Sequence, residues 1–277
     1  MTYFGPMKAS SHRIRLGPSR QEQMAQEQSS LDRRDFLSAA GATLAITLGT
    51  TVSPDFASAA PSKENIMRPN TGFRALTVEN TALVLVDHQV GTIGWAGELS
   101  NQQDRDDLKM WTRVIARFAK AAGMSVVLTS SLETEQQGPL LPEFEQIMPQ
   151  EFAARIKRTG VINAWDDPAF AKAVRNTGKK NILMGGLTTD VCLVPPALSA
   201  KEEGFNVVAL LDISAACTKI GAQNCRDLLT AAKVDIMTVT PMITSILGDY
   251  KSPVSGAFFD AMGKEGVFQA FGRGNLR

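Results

Sequence analysis

The stretch Ile182-Leu-Met-Gly-Gly-Leu-Thr-Thr-Asp-Val-Cys192 decides the fold of this chain. An apolar run that ends in a glycine pair has the pattern of a strand buried on both faces. A tight Leu-Thr-Thr turn follows, and Cys192 falls where the next helix should begin. Working outward, runs at 82–87, 125–130, 154–158, 206–211 and 235–239 join 181–185 as strand candidates. Helix-like stretches at about 104–122, 142–148, 166–177, 190–203 and 220–233 lie between them, with apolar residues three or four apart. Gly123, Gly178 and Gly204 sit where helices should stop, each just before a strand. Strands that alternate with helices in this way give a parallel sheet covered on both faces. The expectation is a single α/β domain, a three-layer α/β/α sandwich.

Ligands of such sheets bind beyond the C-terminal strand ends, where the strand order reverses. The first strand candidate, Thr81-Ala-Leu-Val-Leu-Val-Asp87, delivers a carboxylate to that edge, and the fourth delivers the turn before Cys192. In a doubly wound order these two strands are neighbours, so Asp87 and Cys192 would meet. A cysteine in the first turn of a helix sees the positive end of the helix dipole and unpaired N–H groups. That position predicts a thiolate near neutral pH. The alternatives at this level are an inert buried thiol and a strand-end Asp that caps a turn.

Not all of the 277 residues belong to the fold. Arg33-Arg34 before Phe36-Leu37, a short weakly apolar stretch and Ala57-Ser-Ala59 match a bacterial Tat-type export signal. The division expected is therefore an extension and signal over 1–60, then a domain with a C-terminal tail over 61–277, in an exported or periplasmic protein. The net charge of +1, without a basic run in the mature part, points away from nucleic acid and membrane surfaces. Three cysteines without C-x-x-C spacing fit neither a disulfide framework nor a zinc site. No glycine fingerprint for a nucleotide occurs. No cofactor or metal is expected.

With only His12 and His88 in the chain, and the first within the extension, a histidine-based triad depends on His88 alone. Proton chemistry at a nucleophilic cysteine would otherwise run on a carboxylate, for which Asp87 is the natural candidate. The basic partner is best sought in Lys157-Arg158-Thr-Gly160, with an exposed basic pair as the alternative. Trp165, shortly after, would wall a pocket or pack in the core.

Val-Asp87-His-Gln89, Arg158-Thr-Gly-Val-Ile-Asn163-Ala-Trp165, and Gly185-Gly-Leu-Thr-Thr-Asp-Val-Cys192 with the following Pro-Ala-Leu-Ser-Ala-x-Glu-Glu-Gly-Phe resemble the isochorismatase-like cysteine hydrolases, in particular the YcaC-type subgroup. The resemblance covers about residues 75–250. It implies a six-stranded parallel sheet and an Asp–Lys–Cys triad, mapped to Asp87, Arg158 and Cys192. It also implies a non-proline cis peptide at Leu187-Thr188. The family's lysine position falls on Arg158, with Lys157 next to it. Adjacent strand side chains point to opposite faces, so only one of the two can enter the site. Backbone N–H groups of Thr188 and Cys192 would hold an oxyanion, and His88, Gln89, Glu133, Asn163 and Trp165 are the pocket candidates. The nicotinamidase branch's metal site is not carried over, and the isochorismate-cleaving branch lacks the cysteine.

The reading at this stage is a cysteine hydrolase of a small amide, carbamoyl or imide compound, expected to form a homo-oligomer. A catalytically idle small-molecule binder and a peroxide-sensitive redox protein on the same fold stand as alternatives.

Overall fold

A computed structural model describes residues 76–272. The expected export signal at 31–60 lies outside the described residues. Six parallel strands form one sheet: β1 (Thr81–Val86), β2 (Ser125–Ser131), β3 (Ile156–Arg158), β4 (Asn181–Gly186), β5 (Asn206–Leu210) and β6 (Asp235–Met237). Their spatial order is β3-β2-β1-β4-β5-β6, so the order reverses between β1 and β4. The described residues thus form a doubly wound three-layer α/β/α domain, and the β1–β4 boundary is where sheets of this kind bind their ligands. In the register Val86 pairs with Gly186, which places the residues that follow both strands side by side.

Every residue of β1 and β4 is buried, which is why both read as unbroken apolar runs. Leu83, Leu85 and Leu183 face one layer, built on α1 (Gln102–Ala122), α2 (Val239–Leu247) and α3 (Ser255–Lys264). Val84, Val86 and Met184 face the other, built on α4 (Pro168–Asn176), α5 (Val194–Glu202) and α6 (Lys219–Ala231). The long helix α1 starts at Asn101, whose side chain accepts the N–H of Asp104 at 3.0 Å. It stops at Gly123, where a left-handed φ of 73° sends the chain directly into β2.

The described residues beyond β6 are largely helical. They form α2, α3 and a further helix, Val267–Gly272. Arg113 and Arg117 of α1 both grip Glu265 at 2.6 Å, tying this C-terminal region to the main layer. None of the described helices is long and apolar enough to cross a membrane.

Candidate active site

Asp87 leaves β1 with a φ of 57°, a left-handed conformation that breaks the strand's in–out alternation. Its N–H still bonds to the carbonyl of Thr129 at 3.0 Å, so the turn begins in register with β2. The carboxylate is almost wholly buried and its Oδ2 is paired with Nη2 of Arg158. Arg158 ends β3, with its side chain inside, while its neighbour Lys157 is exposed and pairs with Glu133 at 3.4 Å. Strand alternation therefore sends the arginine, and not the lysine, to Asp87.

Cys192 approaches from β4. It lies in a π-helical turn, Thr189–Leu193, that precedes α5. The Leu187–Thr188 peptide bond is cis. Gly186 explains why this turn needs a residue without a side chain before it: an added Cβ would sit 2.5 Å from the carbonyl oxygen of Cys192. The turn thus packs straight onto the strand end, and Cys192 is delivered, buried, beside Asp87. The other oxygen of the carboxylate, Oδ1, is buried and makes no full hydrogen bond. The Cys192 thiol stands within electrostatic and hydrogen-bonding range of the carboxylate.

The electrostatics of this trio reverse one expectation. Burial and the neighbouring Asp87 carboxylate push the Cys192 thiol well above its ordinary pKa; Arg158 and the Thr188 backbone pull it down by less. This direction favours the thiol over the thiolate expected from a helix start, because burial and the nearby carboxylate outweigh the cation. Burial also raises Asp87, against the pull of Arg158. The guanidinium cannot lose its charge, so the buried pair is neutral only with Asp87 ionised. Asp87 then keeps one oxygen without a donor in a carboxylate that stands close to the Cys192 thiol, an arrangement able to accept a proton.

Of the two backbone donors expected for an oxyanion, the Cys192 N–H is directed to the Thr188 carbonyl at 2.7 Å. The Thr188 N–H has no acceptor among the described residues. The segment Ser214–Cys217 straps this turn in place. Gly186 N–H bonds to Ser214 Oγ at 3.1 Å, Thr189 N–H to the Ala215 carbonyl at 2.9 Å, and the Cys217 thiol to Thr188 Oγ1 at 3.4 Å. Sequence reasoning missed this strap because its residues are small and carry no motif.

The other pocket candidates are engaged elsewhere. His88 is fully buried, bonded through Nε2 to the Ile213 carbonyl at 2.8 Å and set edge-on to Phe144. Burial lowers its pKa to about 4, so it stays neutral. Gln89 accepts from Ser131 N–H at 2.9 Å and donates to the carbonyls of Ser131 and Gly138, clamping the loop after β2. Asn163 caps the turn before α4 through Trp165 N–H at 3.1 Å and reaches Ser199. Trp165 packs against Phe170 and Phe205 and donates to Glu203 at 2.9 Å. These four brace the fold. Glu133 sits between Arg155, Lys157 and Ser130, and the Arg155 bonds hold its pKa down at about 2.

The chain matches the family model of the isochorismatase domain over residues 81–240, which span all six strands. It is 35% identical over 181 residues to the Escherichia coli protein described as "Probable hydrolase YcaC", covering 65% of this chain and 84% of that one. A solved YcaC from Pseudomonas aeruginosa, with hexane-2,5-diol and covalent acrylamide, superposes with a TM-score of 0.63 at 31% identity, over 72% of this chain and 98% of that chain. The E. coli YcaC structure, described as an octameric hydrolase of unknown specificity, gives a TM-score of 0.63 at 30% identity, over 73% of this chain and 98% of that chain. With a family match across the whole sheet and relatives that share the fold from end to end, this chain belongs to the isochorismatase family.

Proposed function

We propose that this protein is a cysteine-dependent hydrolase that cleaves a C–N bond in a small amide or carbamoyl compound, using Asp87, Arg158 and Cys192. The observation that carries the reading is the Asp87 carboxylate: one oxygen is held by Arg158, the other is buried without a hydrogen-bond partner, and the Cys192 thiol stands close to the group. Asp87 takes the proton of Cys192 as Sγ attacks the carbonyl carbon. The resulting oxyanion is held by the Thr188 N–H. The C–N bond then breaks, and the proton on Asp87 passes to the leaving amine. Water attacks the thioester, gives its proton to Asp87, and the acid departs as the thiol re-forms.

Arg158 acts here as a fixed charge, since it cannot exchange protons. The relatives named as hydrolases support the reaction class. Covalent acrylamide, a compound that adds to nucleophiles such as thiols, in the P. aeruginosa relative supports a reactive nucleophile. The test is turnover of a panel of small amides, carbamoyl compounds and imides by the wild type and by Cys192→Ala. Ammonia or amine release by the first only is expected; release that survives Cys192→Ala would remove the nucleophile.

The octameric relative supports a homo-oligomer. So do Trp95, Ile162 and Val191, exposed apolar side chains that follow the three strand ends of the site and would be covered by another copy. Sedimentation would show it. Export rests on the twin-arginine segment alone, and N-terminal sequencing of periplasmic material would find a start near Ala60.

A further inference from the structure

Between β1 and β3, the two strands that supply Asp87 and Arg158, runs β2, and at its centre lies Thr129, fully buried. Three bonds converge on this residue. Its carbonyl accepts the Asp87 N–H at 3.0 Å, its hydroxyl donates to the Ile156 carbonyl at 2.8 Å, and the same hydroxyl oxygen accepts Nε–H of Arg158 at 3.1 Å. Because the hydroxyl hydrogen is committed to Ile156, a lone pair is left pointing at the guanidinium. Nη1 donates to the Val161 carbonyl at 2.5 Å, and with Nε anchored on Thr129 from the interior side, Nη2 is aimed at Asp87 Oδ2. A valine of the same shape would sit in the strand equally well but would leave Nε–H unpaired in the interior.

The structure assigns Thr129 as the positioning residue of this site, the group that orients the Arg158 charge on Asp87. The assignment rests on the hydrolase reading above. The titratable groups that act on Asp87 are Arg158 from β3 and Cys192 from the turn after β4. A guanidinium that rotates away leaves burial unopposed, so the Asp87 pKa rises and fewer carboxylates are ionised to take the thiol proton at a given pH.

The experiment follows acrylamide labelling of Cys192 against pH, by peptide mass spectrometry, in the full-length wild type, Thr129→Val, Thr129→Ser and Asp87→Asn. Thr129→Val is expected to shift the rise in rate about one pH unit upward, so that on the acid side of that rise it labels Cys192 about tenfold more slowly than the wild type. Thr129→Ser keeps the hydroxyl and should follow the wild type, which a merely structural role would not produce. If Thr129→Val does not fold, judged by its thermal melt, Thr129→Ala takes its place with the same expectation. A Thr129→Val profile that superimposes on the wild type, or a Thr129→Ser profile as impaired as that of valine, overturns the assignment while Asp87-dependent labelling upholds the reading. Wild-type labelling of Cys192 that is indifferent to Asp87→Asn overturns both.

Discussion

Two strand-end aspartates invite comparison. Asp87 follows the apolar run of β1, and Asp212 follows the apolar run of β5, in nearly the same sequence pattern: Val-Leu-Val-Asp87 against Ala-Leu-Leu-Asp212. Burial raises the pKa of both, that of Asp212 to about 6. Their partners differ. Both oxygens of Asp212 accept the N–H of Val239, at 3.0 and 2.9 Å, so the side chain caps α2. Asp87 spends one oxygen on a permanent cation, leaves the other without a donor, and has a thiol close by. A buried carboxylate becomes chemical rather than structural when one lone pair is left without a donor and faces a group with a proton to lose.

Exchanging the two roles by mutation should give opposite results. Asp87→Asn removes the base and should lower kcat/KM by about 10³. Asp212→Ala should leave kcat/KM near the wild-type value and cost about 1 kcal/mol of stability, as a lost helix cap does. Turnover assays paired with denaturant melts check both. A large activity loss in Asp212→Ala alone would mean that the wrong carboxylate has been assigned the chemistry.

The cations separate in the same way. Arg158→Ala leaves a buried carboxylate uncompensated and should destabilise the fold by about 3–5 kcal/mol, with loss of turnover. Arg158→Lys should recover part of the activity, because the charge returns without the planar fork. Lys157→Ala removes only an exposed charge and should cost less than about 1 kcal/mol. Crippling loss in Lys157→Ala with a mild Arg158→Ala would contradict the register of β3.

A smaller effect distinguishes Asp212 in the pH dependence of stability. Its pKa is raised by folding, from an ordinary 3.8 to about 6, because burial outweighs the Val239 bond. A raised group favours the folded state in its protonated form, so its contribution is present below about pH 4 and lost as pH climbs through about 6. Asp212→Asn should therefore flatten the decline in stability between those two values. Denaturant midpoints across that window measure it; a decline unchanged in Asp212→Asn would assign it to other groups.

Strands β1, β4 and β5 were legible because burial on both faces leaves apolar runs, and the helix stops were legible as glycines. The helix α2 was not, since Pro241 reads as a breaker; it falls in the first turn, where a proline costs no hydrogen bond. At the site, Asp87, Arg158 and Cys192 stand out in the sequence because reactive residue types sit at strand ends. His88 and Gln89 looked equally well placed. The left-handed φ of Asp87, which no neighbouring glycine announces, turns them into the interior instead. Trp165 was left between pocket and core, and its contacts with Phe170 and Phe205, distant in sequence, decide for the core. Thr129 was invisible for a simpler reason. A threonine in Ser-Val-Val-Leu-Thr-Ser is an ordinary strand former, and only the partners of its hydroxyl show what it holds.

The central claim is that Cys192 is a buried thiol activated by Asp87, and the exposed Cys217 provides an internal control for it. Wild type and Asp87→Asn are incubated with acrylamide at neutral pH and their cysteine peptides are quantified by mass spectrometry. The account predicts an adduct on Cys192 in the wild type that falls at least about tenfold in Asp87→Asn, with Cys217 labelled equally in both. Labelling of Cys192 that is the same in both proteins, or confined to Cys217 in both, would contradict it.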